Sequence, residues 1–169
     1  MELKVSDQRV IGTCKSIRRR LRRIGNLGDS ALMVEVATKQ QINDNELLNT
    51  NPAACDPKNY VVLINDERFF SLGKKERKGV LAHEIGHFIY DKLKSPPIEA
   101  NGNSRTLENA AADYWACHLG LKRAIKKSRK PRYVKEYCDI LDQYKNECEF
   151  CRNMQKLYNQ NGATFCKKS

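Results

Sequence analysis

Apolar residues recur at steps of three and four between Asp7 and Ile24, at Val10, Cys14, Ile17, Leu21 and Ile24. That period predicts an amphipathic helix with these side chains on one face. Arg18, Arg19, Arg20, Arg22 and Arg23 take much of the remaining surface, and Gly25 is a stop signal. The run Ala31-Leu32-Met33-Val34-Glu35-Val36-Ala37 suits a strand. From Gln40 to Lys58 the chain is rich in Asn, Asp and Pro, and this composition predicts a loop. A second strand follows at Tyr60-Val61-Val62-Leu63-Ile64, closed by Asn65-Asp66. It is apolar throughout, so its place is inside a sheet.

The next period is helical, from about Lys75 to Lys92, ending before Ser95-Pro96-Pro97. Asn101-Gly102-Asn103-Ser104 is a loop signal. Thr106 then offers an N-cap to a helix that continues to about Lys127. Val134, Tyr137, Leu141, Tyr144, Cys148 and Cys151 form one stripe of a long helix in the tail. Pro131, within the basic cluster from Lys122 to Arg132, marks a joint. The chain thus divides into a folded part, 1–127, and a basic, Cys-containing helical segment, 128–169.

Length and composition fit one compact domain with a small appendage: 169 residues, 40% hydrophobic and 30% charged. No apolar run approaches the ~20 residues of a membrane helix, so no membrane span is expected. Met1-Glu2-Leu3-Lys4 carries no apolar h-region, and a cytoplasmic location is the expectation. The seven cysteines are an odd number without an export signal, which favours free thiols or bound metal over a disulfide framework. The net charge of +11 favours acidic partners, or serves solubility alone.

The chemistry concentrates in His83-Glu84-Ile85-Gly86-His87. Residues four apart on a helix lie one above the other, so His83 and His87 can both reach one zinc ion. Glu84 lies about 100° around the helix from His83. From there its carboxylate can take a proton from a zinc-bound water without ligating the metal, and deliver it to a leaving amine. The surrounding Gly79-Val80-Leu81-Ala82 and Phe88-Ile89-Tyr90 are those of a buried helix. Gly86 costs such a helix about 1 kcal/mol, a cost that makes sense if a neighbouring backbone or a metal site must come close.

Placed after a strand and on an apolar helix, this motif resembles the zincin metallopeptidases. It is similar in particular to the gluzincin branch and to short soluble domains such as the ImmA/IrrE-type proteases. The resemblance covers Tyr60 to Leu121, about a third of the chain. It implies an α+β zincin-like fold, with a small sheet packed on the motif helix and a second, ligand-bearing helix crossing it. It implies a zinc metallopeptidase, an endopeptidase acting on a polypeptide substrate. It also implies a third ligand, usually a Glu, with an Asp four residues later supporting a histidine. The matching stretch is Glu108-Asn109-Ala110-Ala111-Ala112-Asp113-Tyr114-Trp115-Ala116. Ala112, Asp113, Trp115 and Ala116 fit the family register, but the ligand position falls on Asn109, and Glu108 is one residue early. Glu108 and Asp113, five apart, are separated by about 140° on an ideal helix. Three arrangements remain open: Asp113 binds zinc directly, Glu108 binds with a distorted first turn, or Asn109 occupies a weak or vacant third position.

Metzincins place a third histidine a few residues after the pair, but Phe88 to Lys94 holds none. His118, the remaining histidine, reads as a surface residue of a helix. Cys148-Glu149-Phe150-Cys151, with Cys138 and Cys166, admits a second, structural zinc. Their place on an apolar stripe favours plain packing. Tyr90 and Tyr114 suit packing better than an oxyanion role, and Trp115 with the scattered tyrosines forms no base-stacking platform. The arginine-rich first helix is either a solvated face or a contact for nucleic acid or an acidic protein. The alternative to a peptidase is therefore a basic nucleic-acid- or protein-binding protein with a degenerate, structural zincin core.

Overall fold

A computed structural model describes residues 2–24, 31–93 and 104–128. These form a mixed α+β structure. In chain order the elements are β1 (Glu2–Val5), α1 (Gln8–Ile24), β2 (Ala31–Val36), α2 (Lys39–Asn43), α3 (Glu46–Thr50), β3 (Ala53–Asp56), β4 (Val61–Ile64), α4 (Asp66–Ser71), α5 (Lys74–Leu93) and α6 (Ser104–Ala116). A π-helical segment, Cys117–Leu121, then leads into α7 (Lys122–Ser128).

The four strands make one sheet in the order β1-β2-β4-β3. β1 with β2 and β2 with β4 are parallel, and β3 runs antiparallel to β4 at the edge. The apolar run of β4 does lie inside the sheet, between β2 and β3. Only one of its faces is fully covered: Val62 and Ile64 are buried, whereas Val61 and Leu63 are half-buried. Leu32 and Val34 of β2 continue the buried face. The period-2 alternation of a strand thus sorts these residues, and hydrophobicity alone does not.

α1 buries Val10, Cys14, Ile17 and Leu21, the face its period predicts. Burial raises the Cys14 thiol to about 12, so it stays protonated and packs as a small hydrophobe. Arg18 reaches back from this helix and its Nε donates to the Leu3 carbonyl of β1 at 2.9 Å. The core common to sheet and helices continues through Leu81, Ala82, Ile85, Phe88 and Ile89 of α5 and Trp115 and Ala116 of α6.

The stretch expected as a loop, Gln40 to Lys58, is instead ordered into α2, α3 and β3. Its polar residues are caps. The Thr38 hydroxyl accepts from Gln41 N, and the Gln41 side chain accepts from Thr38 N, a complete capping box. The Asn45 side chain caps α3 by accepting from Leu48 N. Asp56 closes the β3–β4 hairpin: Oδ1 accepts from Lys58 N and Asn59 N, and Oδ2 from Asn59 Nδ2. These bonds, led by the Asn59 side chain, hold the Asp56 carboxyl below its ordinary pKa.

The continuous helix expected from Thr106 to Lys127 begins at Ser104 and breaks at the π-helical segment, where Gly120 adopts φ 70°. The tail beyond residue 128, with the Pro131 joint and Cys138, Cys148, Cys151 and Cys166, lies outside the described residues. Among the described residues, no helix is long and apolar enough to cross a membrane.

α5 packs closely on α6 and α7. A Cβ placed on Gly86 would stand 2.1 Å from the Ala112 carbonyl oxygen, and one on Gly79 2.4 Å from that of Ala124. The neighbouring backbone is thus what the glycine in the motif makes room for. Gly86→Ala would gain about 1 kcal/mol in helix propensity. The overlap with the Ala112 carbonyl should outweigh it, for a net loss of about 1–3 kcal/mol. Urea denaturation should therefore give a lower midpoint for this variant, and a higher one would contradict the close contact.

Candidate metal centre

α5 carries the motif because its ends are well set and its centre is apolar. Glu76, in the first turn, accepts a hydrogen bond from Gly73 N at 2.8 Å, and Lys92 stands in the last turn. Leu81, Ala82, Ile85, Phe88 and Ile89 bury the helix against the sheet and α6. His83 lies on the boundary of this buried surface with 6% exposure, and His87, one turn on, is half-buried.

α6 brings Asp113 to His83. The carboxylate is 2% exposed, and Oδ1 is 2.8 Å from His83 Nδ1. A buried carboxylate needs a donor, and Nδ1–H supplies one. A proton held at Nδ1 leaves the lone pair of a neutral imidazole at Nε2. His83 Nε2 faces His87 Nε2 at 3.1 Å, with the two rings nearly perpendicular at 79°. The same spacing suits one shared proton, His87 Nε2–H donating to His83 Nε2, or two lone pairs directed at one cation. Two imidazole nitrogens on a tetrahedral zinc at ~2.0–2.1 Å stand about 3.3–3.4 Å apart. The donor set therefore fits two-thirds of a protein zinc site, complete with the carboxylate that orients one histidine.

Glu84 points between α5 and the sheet edge. Its Oε2 accepts from Cys55 N of β3 at 2.9 Å, so a backbone N–H of the edge strand fixes one carboxylate oxygen. The Cys55 thiol lies in the same place. Burial, and after it the charges of Glu84, Asp56 and Asp91, push its pKa well above the ordinary thiol value. With no ion beside it, the thiol is held in its protonated form.

The two candidates for the third ligand are separated. Asp113 is engaged at Nδ1 of His83, on the opposite edge of the ring from the nitrogen facing His87. Glu108 is exposed on α6. Asn109, four residues before Asp113 and so on the same helix face, is half-buried. Among the described residues, no group of three or more His, Cys, Asp and Glu side chains is placed to hold one ion. An amide ligand such as Asn109 falls outside that set of residue types.

Tyr90 and Tyr114 pack on the core, and Tyr114 meets Trp115 edge-to-face at 5.3 Å. The backbone of His118 lies in the π-helical segment, away from either end of the motif helix's histidine turn in sequence. The contribution of β3 was not anticipated from the sequence. Its signal is the Asp56-Pro57-Lys58-Asn59 turn between Ala53-Ala54-Cys55 and the apolar strand, a hairpin pattern. Compared with protein-family models, with curated proteins and with solved structures, the chain matches none.

Two measurements test the roles read from this geometry. Asp113→Asn should weaken zinc binding about 10–100-fold, the range for a residue that orients a ligand, while Glu108→Ala should leave it unchanged. Chelator competition reads both. If residue 109 supplies the third ligand, Asn109→Glu, one helical turn before Asp113, should tighten zinc about tenfold or more.

Proposed function

We propose that the chain is a zinc-dependent metallopeptidase with a zincin-like core, in which His83 and His87 hold the ion and Glu84 is the general base. The observation that carries this reading is the convergence of two imidazole Nε2 atoms at 3.1 Å, one of them backed by a buried carboxylate. A buried carboxylate on the far nitrogen is the partner that a metal-ligating histidine uses to fix its orientation.

The ion, when bound, supplies Lewis acidity, lowering the pKa of a water toward ~7 and polarising a carbonyl. The chain's own groups do the rest. Asp113 keeps the proton of His83 on Nδ1 and so keeps Nε2 available. Glu84 takes the proton of the attacking water and returns it to the leaving amine nitrogen. Cys55 N–H restrains one Glu84 oxygen, which limits the rotamers of the base. Asp113 thereby takes the supporting role, and the third position falls to Asn109 or to solvent.

Glu84→Gln keeps the shape of the side chain and its place beside β3 but removes the base. The expected outcome is full zinc content by elemental analysis and peptidase activity lowered by about 10²-fold or more. His83→Ala should lose both. Retained hydrolysis in Glu84→Gln would sink the assignment of the base, and a wild type without zinc affinity would sink the class.

A further inference from the structure

The surface of α1 is a second functional candidate, independent of the histidine turn. Lys15, Arg19 and Arg22 are exposed and stand at i, i+4 and i+7, so they form one stripe facing solvent. Arg18 and Arg20 flank it, partly exposed. The helix from Gln8 to Ile24 contains no carboxylate. Lys15–Arg19, Arg18–Arg22 and Arg19–Arg22 are like-charge neighbours at spacings that destabilise a helix. Among the described residues, none of Lys15, Arg18, Arg19, Arg20 and Arg22 takes part in an ion pair. Among the described residues, no carboxylate compensates this repulsion by an ion pair.

The field extends beyond one helix. The Arg20 guanidinium lies over Gly120, where an added Cβ would come within 2.1 Å of Nη1. Lys78 of α5 has its pKa lowered, chiefly by burial and then by the charges of Arg20 and Lys74. Two elements, α1 with Arg20 and α5 with Lys74 and Lys78, therefore bring positive charge to one seam.

We propose that this stripe binds the phosphate backbone of double-helical nucleic acid without reading its sequence. Guanidinium groups are the residues suited to phosphate, presenting forked donors that match its oxygens. The apolar face of α1 is committed to the core, so the helix cannot insert in a membrane surface as an amphipathic anchor does. A stable protein interface needs an apolar or aromatic centre, and the exposed large hydrophobic residue among those described, Leu47, lies on α3. The stripe carries no aromatic ring on which an unpaired base could stack, which favours a duplex over a single strand. Contacts to phosphate alone position a protein and carry no base specificity.

The test uses the full chain and a fluorescent DNA duplex of about two helical turns, with binding followed by anisotropy between about 50 and 200 mM salt. Affinity should fall linearly on logarithmic axes, with a slope near −0.9 for each phosphate contacted. Arg19→Gln/Arg22→Gln replaces exposed side chains with good helix formers and should keep the melting temperature. It should lower affinity about tenfold or more and reduce the magnitude of the slope by about 2. Lys39→Gln/Lys58→Gln removes equal charge from exposed positions elsewhere and should leave affinity within about twofold. Equal losses in the two double variants would overturn the assignment to α1. So would a flat salt response, or tighter binding to polyglutamate or to phosphatidylserine vesicles than to the duplex.

Discussion

The buried contact between Asp113 and His83 is the constraint on which the candidate centre depends. A carboxylate with 2% exposure is expensive unless it is bonded, and removing one partner of such a buried pair costs about 3–5 kcal/mol. The pair is a poor way to gain stability, since apolar residues of the same size would do as well or better. What it provides is orientation. It holds one imidazole in a single tautomer, turns its other nitrogen toward His87, and ties α6 to α5 in one register. The glycine at position 86 allows that register by letting the Ala112 carbonyl approach where a Cβ would stand at 2.1 Å.

Much of the fold was legible because local chemistry and tertiary place agree. The three- and four-residue spacing of Val10, Cys14, Ile17 and Leu21 is the spacing of the buried side of α1. The β-branched runs of β2 and β4 pair directly, Val34 with Val62 and Val36 with Ile64. The stretch from Gln40 to Lys58 was not legible, for a definite reason. Asn45 is of the type that marks loops, and here it caps a helix of only five residues, while Thr38, just before the stretch, caps another. Ala53-Ala54-Cys55-Asp56 has weak strand propensity, so its conformation is imposed by pairing with β4. That misreading hid the backbone N–H that restrains Glu84.

The same distinction governs the site. His83, Glu84 and His87 could be assigned relative to one another because a single helix fixes their spacing. The partner of His83 could not, because it depends on how α6 slides along α5. A five-residue offset from Glu108 to Asp113 keeps them off one face of an ideal helix but does not select between them. Tertiary contact selects: Asp113 is turned inward to Nδ1, and Glu108 outward to solvent.

The return of the chain after Asp113 explains why that register is stable. Gly86 meets the backbone at Ala112 and Gly79 meets it at Ala124, so α5 is held twice by a partner running in the opposite direction. The two glycines are separated by about 10.5 Å along α5, at 1.5 Å per residue. A straight helix from Ala112 to Ala124 would span about 18 Å by the same rise. The two contacts cannot both form on an unbroken helix running alongside α5. The π-helical segment with Gly120 at φ 70° takes up the difference, and a residue with a Cβ there would meet both backbone strain and the Arg20 guanidinium. His83 and Glu84 lie within the span of α5 clamped between Gly79 and Gly86, and His87 follows it directly. Backbone packing thereby fixes the stretch that presents these side chains, the arrangement that the proposed centre would require.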